Sequence, residues 1–348
     1  MNSIYLGMVI FSFVVNSFLM VPFIDFLYKL KFQRQAQKTK DPFNLRAPIF
    51  DFFHKEKVGT PVGGGFLVVC TTIILSMLFL TLFYFFGIPV ISVFKSAPRE
   101  TVIILFTLVA FALLGLFDDI KKTFNIEKGA EIFYGLRLRH KIFIQLAIAL
   151  IISYWMYSWL GISFINIPFF GTLHLGIGYV LFATFTILAF TNAYNITDGL
   201  DGLSSGVLLI SLLTFWIISH AVLDTILSVV LSVWIGGLLT FLYFNVFPAR
   251  IFLGDTGALA FGAAFAVIGL LLGKAFLLPI IGFIFVVEAS SSLLQLTVKK
   301  YFKKKFFPVA PAHLYLQLKG WSESKIVFRF WLITIVCSIF GLWIAFLK

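Results

Sequence analysis

The 348-residue chain has few acidic side chains and almost no cysteine: 15 Asp and Glu stand against 27 Lys and Arg, charged residues make up 12% of the whole, and there are two cysteines. Cys70 and Cys337 both lie inside apolar runs and lack metal-ligand spacing, so both read as packing residues and say nothing about redox compartment. No stretch between the apolar runs is long enough for a soluble domain of ordinary size, which leaves one transmembrane domain over 1–348. The first apolar stretch, Ile4 to Leu27, has neither a basic leader nor a small-residue cleavage pattern and is expected to stay as a span. Paired Cys and His sites and the GKS or GKT of a P-loop are missing too.

What fills the chain instead is apolar. Hydrophobic residues are 60% of it and Phe alone contributes 45, with a mean hydropathy of +1.03. In lipid every backbone polar group needs an internal partner, so runs of this length predict an all-α, polytopic membrane bundle. Charged and Gly/Pro breaks divide it into ten spans, near 4–27, 61–86, 101–117, 142–161, 175–191, 204–219, 226–244, 258–273, 275–298 and 326–346. The break around Lys274, between Gly273 and Pro279, allows only a very tight connection. Segments 28–60, 118–141, 245–257 and 299–325 hold 8, 6, 1 and 7 of the basic residues, 22 of the 27. The positive-inside rule makes them cytoplasmic, together with the basic-poor link 192–203, and an even span count puts both termini outside. The net charge of +12 is then a property of one face, serving topology and attraction to anionic membrane lipids, with a share left for recruiting an anionic substrate.

Five of the 15 acids, Asp118, Asp119, Asp198, Asp201 and Asp255, fall at three helix ends on that same face. A carboxylate at membrane depth is costly, so such a convergence predicts a binding site. The first cluster is Asp118-Asp119 followed by Lys121 and Lys122, where the aspartates are expected to end a span. The second runs from Asn192 through Asn195 and Asp198 to Asp201; its first three polar residues are spaced by three and so share a helix face, and Gly199 and Gly202 let the backbone turn closely around a ligand. The third runs from Asn245 to Gly257 and sets Asp255 just before a new helix, whose free N–H groups favour an anion. Marking of the water interface, or ordinary capping, would account for each cluster alone but not for all three on one side. Oxygen ligands without Cys or His pairs point to a hard cation such as Mg2+, which keeps waters, one or two carboxylates and substrate phosphates. Lys57, beside Gly59-Thr60-Pro61 and the glycines after it, is expected to hold further phosphate oxygens, while the glycine run by itself equally serves close helix packing.

At these residues the chain resembles the polyprenyl-phosphate N-acetylhexosamine-1-phosphate transferases, and within them the phospho-N-acetylmuramoyl-pentapeptide branch. The resemblance rests on Lys57 to Pro61, Gly115 to Lys122, Asn192 to Leu203, Asn245 to Gly257, and Lys319-Gly320-Trp321 with Lys325 to Trp331, and it covers nearly the whole chain. Two departures accompany it. The branch carries three histidines before Lys-Gly-Trp, whereas this chain has His313-Leu314-Tyr315, with Gln317 where a Glu is expected; and Thr60-Pro61-Val62-Gly63 replaces Thr-Pro-Thr-Met-Gly.

The resemblance implies transfer of phospho-N-acetylmuramoyl-pentapeptide from its UDP derivative to undecaprenyl phosphate, giving lipid I and UMP, with Mg2+, in a bacterial cytoplasmic membrane. It also implies a homodimer and no nucleic-acid partner. In those terms Asp255 is a metal ligand and Asp198 a second; Asp118 deprotonates or orients the lipid phosphate, acts electrostatically on it, or forms a covalent intermediate; and Asp119 supports. Lys57, Thr60, Lys121, Lys122, Asn192, Asn195, Asp198, Asp201, Asn245 and His313 are the expected substrate contacts. Glu288, inside the ninth span and far from the expected cytoplasmic end, reads as a helix-to-helix hydrogen bond. The rival readings are a secondary transporter, whose site would lie at the bilayer midplane, a UDP-N-acetylhexosamine enzyme for another envelope glycan, and a scaffold that has lost catalysis.

Overall fold

The computed structural model describes residues 2–35, 53, 55–124 and 135–347. Among them nine helices are long and apolar enough to cross a membrane: α1 (Asn2–Lys29), α2 (Gly64–Phe85), α3 (Ala97–Phe124), α4 (Leu138–Leu160), α5 (Gly178–Thr197), α6 (Leu203–Ala221), α7 (Thr225–Asn245), α8 (Gly254–Leu271) and, last in the chain, α12 (Glu323–Phe346). A further apolar pair is bent, as in a broken span or a re-entrant loop. The short α9 (Leu278–Ile281), entered through a 3-10 turn at Ala275–Leu277, meets α10 (Phe283–Phe302) at 79° across Gly282. The expected break at Lys274 is present: Gly273 has φ +65°, and the N–H groups of Gly273 and Lys274 donate back to Leu270 and Gly269. The ten-span reading therefore holds when the bent pair is counted as one span, although the bend inside 275–298 was not foreseen.

Two features differ from the sequence reading. The third span does not stop at Asp118: α3 runs on to Phe124, and Lys122 pairs with Asp118 one turn before it at 3.0 Å, so a charged pair continues the helix past the apolar run. An antiparallel hairpin, β1 (Phe164–Ile167) with β2 (Gly171–His174), fills the link between α4 and α5; Phe169 and Phe170 at its turn are 76% and 87% exposed. A short α11 (Ala312–Leu318) precedes α12.

The bundle is built around α7 and α8, whose most apolar windows are 94% and 89% buried, while those of α1 and α4 are only 28% buried and leave large apolar side chains for lipid. The core helix α8 packs against α2, α3 and α5, and small residues let the backbones approach. A Cβ at Gly115 would lie 2.2 Å from the Asp255 carbonyl oxygen, and one at Gly65 would lie 2.3 Å from the Gly257 Cα. The close approach at Gly115 holds the end of α3 against the start of α8, where two of the acidic clusters meet.

This contact predicts opposite outcomes for two glycines. Gly115→Ala forces backbone apart and should lower the melting temperature in detergent by about 2 to 8 °C, the scale of a 1–3 kcal/mol overpacking cost. Gly7→Ala, which meets nothing within 4 Å, should leave it unchanged or slightly raised.

Candidate functional site

The three acidic clusters meet at one end of the bundle around a cavity of about 420 Å3. Asp119, Lys122, Asn195, Asp198, Asp201, Asn245, Asp255, Lys57 and His313 all lie on its wall, as do Arg34 and Phe252. Asp118, Thr60, Lys121 and Asn192 do not. Asn192 donates to the Gln145 side chain of α4 at 2.8 Å and to the Leu188 carbonyl, so the face it shares with Asn195 and Asp198 is divided between helix packing and the cavity.

On one wall the charges interlock. Lys122 Nζ lies 2.6 Å from Asp255 Oδ2 and 3.0 Å from Asp118 Oδ2, and Lys141, in the first turn of α4, bridges the same two carboxylates at 3.0 Å from Asp118 and in close contact with Asp255. Asp118 also accepts the Leu136 N–H, so its oxygens are committed beneath the cavity surface. Asp119 accepts from the N–H of Asp255 at 2.9 Å and from the N–H and hydroxyl of Thr256 at 2.9 and 2.7 Å. It thus satisfies the free donors at the head of α8 and sets where Asp255 stands. Asp255 lies in the first turn of α8.

The opposite wall has its own lock. Lys57 contacts Asp201 at 2.7 Å and Glu323 at 2.6 Å. Glu323 also accepts the Asp201 N–H, and Asp201 accepts the Ala249 N–H at 2.9 Å. Asn245 accepts from the Gly202 N–H and the Ser205 hydroxyl and donates to the Ile251 carbonyl, tying the second cluster to the third. His313 hangs from Glu288, with Nδ1 at 2.8 Å and its backbone N–H at 3.0 Å. The Glu288 link between helices is therefore as expected, but Glu288 is not remote from the site, because its partner lines the cavity. Leu314 is buried and Tyr315 packs on Phe307.

Sequence reasoning missed Lys141, Glu323 and Arg34 as site residues. Lys141 is the last base before an apolar run and Glu323 the first acid after Lys-Gly-Trp, but position alone gave neither a partner.

Asp198 takes the Ser204 hydroxyl on one oxygen. Burial, and to a lesser extent the charge of Asp255, raise its pKa to about 6, against the Ser204 bond and the charges of Lys57 and Arg34. Among the described residues no three His, Cys, Asp or Glu side chains converge as a closed metal cage. The wall instead offers two separate carboxylates, Asp198 and Asp255, with cations around them.

A fold of membrane-crossing helices gathers its carboxylates, lysines and amides at one end, and residues 101–273 match glycosyl transferase family 4, which makes the chain a polytopic transferase. Over 329 residues the chain is 37% identical to a phospho-N-acetylmuramoyl-pentapeptide-transferase of Clostridium perfringens, covering 94% of this chain and 93% of that one. It is 33% identical to the enzyme of the same name from Staphylococcus aureus, over 95% and 97%, and 35% identical to that of Caldanaerobacter subterraneus, over 90% of each. The chain belongs to the phospho-N-acetylmuramoyl-pentapeptide-transferase family.

The raised pKa of Asp198 has a definite sign. A carboxyl whose folded-state pKa lies above its unfolded value contributes stability below about pH 4 that is lost as pH rises through about 6. In chelator-containing buffer, Asp198→Asn should melt about 2 to 4 °C above the unaltered protein at pH 8. The gap should narrow as pH falls through about 6 and close below about pH 4.

Proposed function

We propose that this chain transfers phospho-N-acetylmuramoyl-pentapeptide from UDP-N-acetylmuramoyl-pentapeptide to undecaprenyl phosphate, giving lipid I and UMP, the first membrane step of peptidoglycan synthesis. The observation that carries this reading is the single cavity on which Asp198, Asp255, Lys122 and Lys57 converge, in a chain aligned with enzymes of that name over more than nine-tenths of its length. The described parts of the four segments that bear 22 of the 27 basic residues all reach this cavity, through Arg34 and Lys57, Lys122, Asn245 and Asp255, and His313. This supports a cavity on the cytoplasmic face of a bacterial cytoplasmic membrane, with both termini periplasmic.

In the reaction an oxygen of the lipid phosphate attacks the sugar-bearing phosphorus and the bond to UMP breaks. Several negative charges crowd together, so the protein's task is positioning and neutralisation. Lys122 and Lys141 stand at the head of α8 to meet that charge, Asp118 holds both ammonium groups in place, and Asp119 fixes the backbone of Asp255. This makes Asp118 and Asp119 positioning groups in the arrangement described. The Lys57–Asp201–Glu323 lock fixes the loop bearing Asp198 and Gly199, and His313 and Asn195 present polar atoms to the substrate from the remaining wall.

The donor set suits Mg2+: two carboxylates, Asp198 and Asp255, on a cavity with room for waters and phosphate oxygens, match the way this ion is commonly held. Those two residues would hold it, and when bound it would supply Lewis-acid neutralisation of the diphosphate. Asp198 and Asp255 must then be ionised, and Lys122 and Lys141 favour that form of Asp255 by direct pairing.

The test is UMP release by the purified protein with undecaprenyl phosphate and Mg2+, offering UDP-N-acetylmuramoyl-pentapeptide and UDP-N-acetylglucosamine in parallel. Turnover with the muramoyl donor alone is expected; turnover with the glucosamine donor alone would move the chain to the sister activity. Asp255→Ala should lower kcat by about 100- to 1,000-fold, the scale of losing one electrostatic contact to a reacting group. Undiminished turnover in that variant would overturn its assignment.

A further inference from the structure

The cations on the cavity wall differ in how they are satisfied. Lys57 is held by Asp201 and Glu323, and Lys122 by Asp118 and Asp255. Arg34 is different: among the described residues no hydrogen bond or ion pair of its guanidinium is formed, and it lies over the Phe252 ring, 5.7 Å from ring centroid to Cζ, on the same cavity wall as Asp198 and Asp201. Its backbone is nevertheless well fixed. The Arg34 N–H donates to the Thr60 carbonyl at 2.9 Å, its own carbonyl accepts the Gly59 N–H at 3.0 Å, and the preceding Gln33 bridges to Pro61 in β fashion.

A partly buried guanidinium carries five N–H donors in a planar fork shaped for phosphate or carboxylate oxygens. Leaving them without an acceptor costs free energy that an incoming oxyanion would recover. Burial lowers the pKa of Arg34 below its ordinary value more than the charges of Asp198 and Asp201 raise it, so among the described residues those two acids offset its desolvation only in part. Packing on Phe252 limits the positions the side chain can take and so reduces the ordering cost of a contact.

We propose that Arg34 is a substrate-binding residue that takes an oxyanion of the nucleotide donor, a phosphate of its diphosphate or a carboxylate of its peptide, in a bidentate contact. This rests on the transferase reading above. A peptide carboxylate is a spectator whose charge does not change, so a contact to it strengthens substrate binding and leaves the chemical step alone, whereas a contact to the diphosphate, whose charge redistributes as the bond to UMP breaks, acts on kcat as well.

The experiment compares the unaltered protein with Arg34→Gln and Arg34→Lys. It measures kcat and KM with UDP-N-acetylmuramoyl-pentapeptide, and calorimetric affinity for that nucleotide and for UDP. Arg34→Gln should raise KM and weaken nucleotide binding about 10- to 100-fold, with kcat within about two-fold when the partner is a peptide carboxylate and lowered as well when it is a phosphate. Arg34→Lys, which keeps the charge but not the fork, should fall between. Equal losses for UDP and for the muramoyl nucleotide identify a phosphate as the partner; a loss confined to the muramoyl nucleotide identifies a peptide carboxylate. Unchanged KM and unchanged affinity for both nucleotides in Arg34→Gln would overturn the proposal. If that variant does not fold, Arg34→Lys decides on the same readouts. An inactive unaltered protein would speak against the transferase reading, while the two binding titrations would still decide the role of Arg34.

Discussion

Carboxylates buried where helix ends meet a membrane surface survive only if something close by answers their charge, and the arrangement around Asp255 follows from that requirement. Removing one partner of a buried ion pair costs about 3–5 kcal/mol, several times what an exposed pair is worth. Asp255 is met by Lys122 and Lys141, and those lysines are shared with Asp118. Because Lys122 and Asp118 come from α3, Lys141 from α4 and Asp255 from α8, the charge requirement also fixes how three helices end relative to one another. Asp119 completes the arrangement by taking the free donors at the head of α8, and Gly115 makes the approach possible by having no side chain.

The same logic recurs across the cavity with other residues. Lys57 answers Asp201 and Glu323, and His313 is carried by Glu288. These two locks draw on no residue of the lipid-facing helices α1 and α4, whose apolar surfaces are mostly unburied; α4 contributes to the other wall through Lys141. A site preorganised in this way suits a reaction whose difficulty is bringing like charges together. The charges are already placed, and the substrates need only arrive.

Much of this was legible in the chain. The apolar runs located the crossings because lipid leaves the backbone few alternatives to helix, and the scarcity of acids made five aspartates at three helix ends conspicuous. What could not be read was how the work was divided among them. Asp118 and Asp119 are adjacent in sequence, yet one holds lysines and the other caps a helix, a distinction set by α4 and α8 and invisible along α3. Asn192 and Asn195 share a face, yet one meets Gln145 and the other the cavity. Lys141 and Arg34 looked like two more bases on a basic side, because a pairing partner, or the lack of one, is a tertiary property. The bend at Gly282 and the β1–β2 hairpin were hidden for a related reason: an apolar run shows that a segment is buried or in lipid, but not its direction.

Lys141 and Asp255 stabilise the fold through each other. A double-mutant cycle on thermal or denaturant stability, using Lys141→Met, Asp255→Asn and the pair, measures that directly. The account predicts that the double variant is less destabilised than the sum of the singles, with a coupling of about 1–3 kcal/mol. Additive losses would contradict it, since the two charges would then be held by something other than each other.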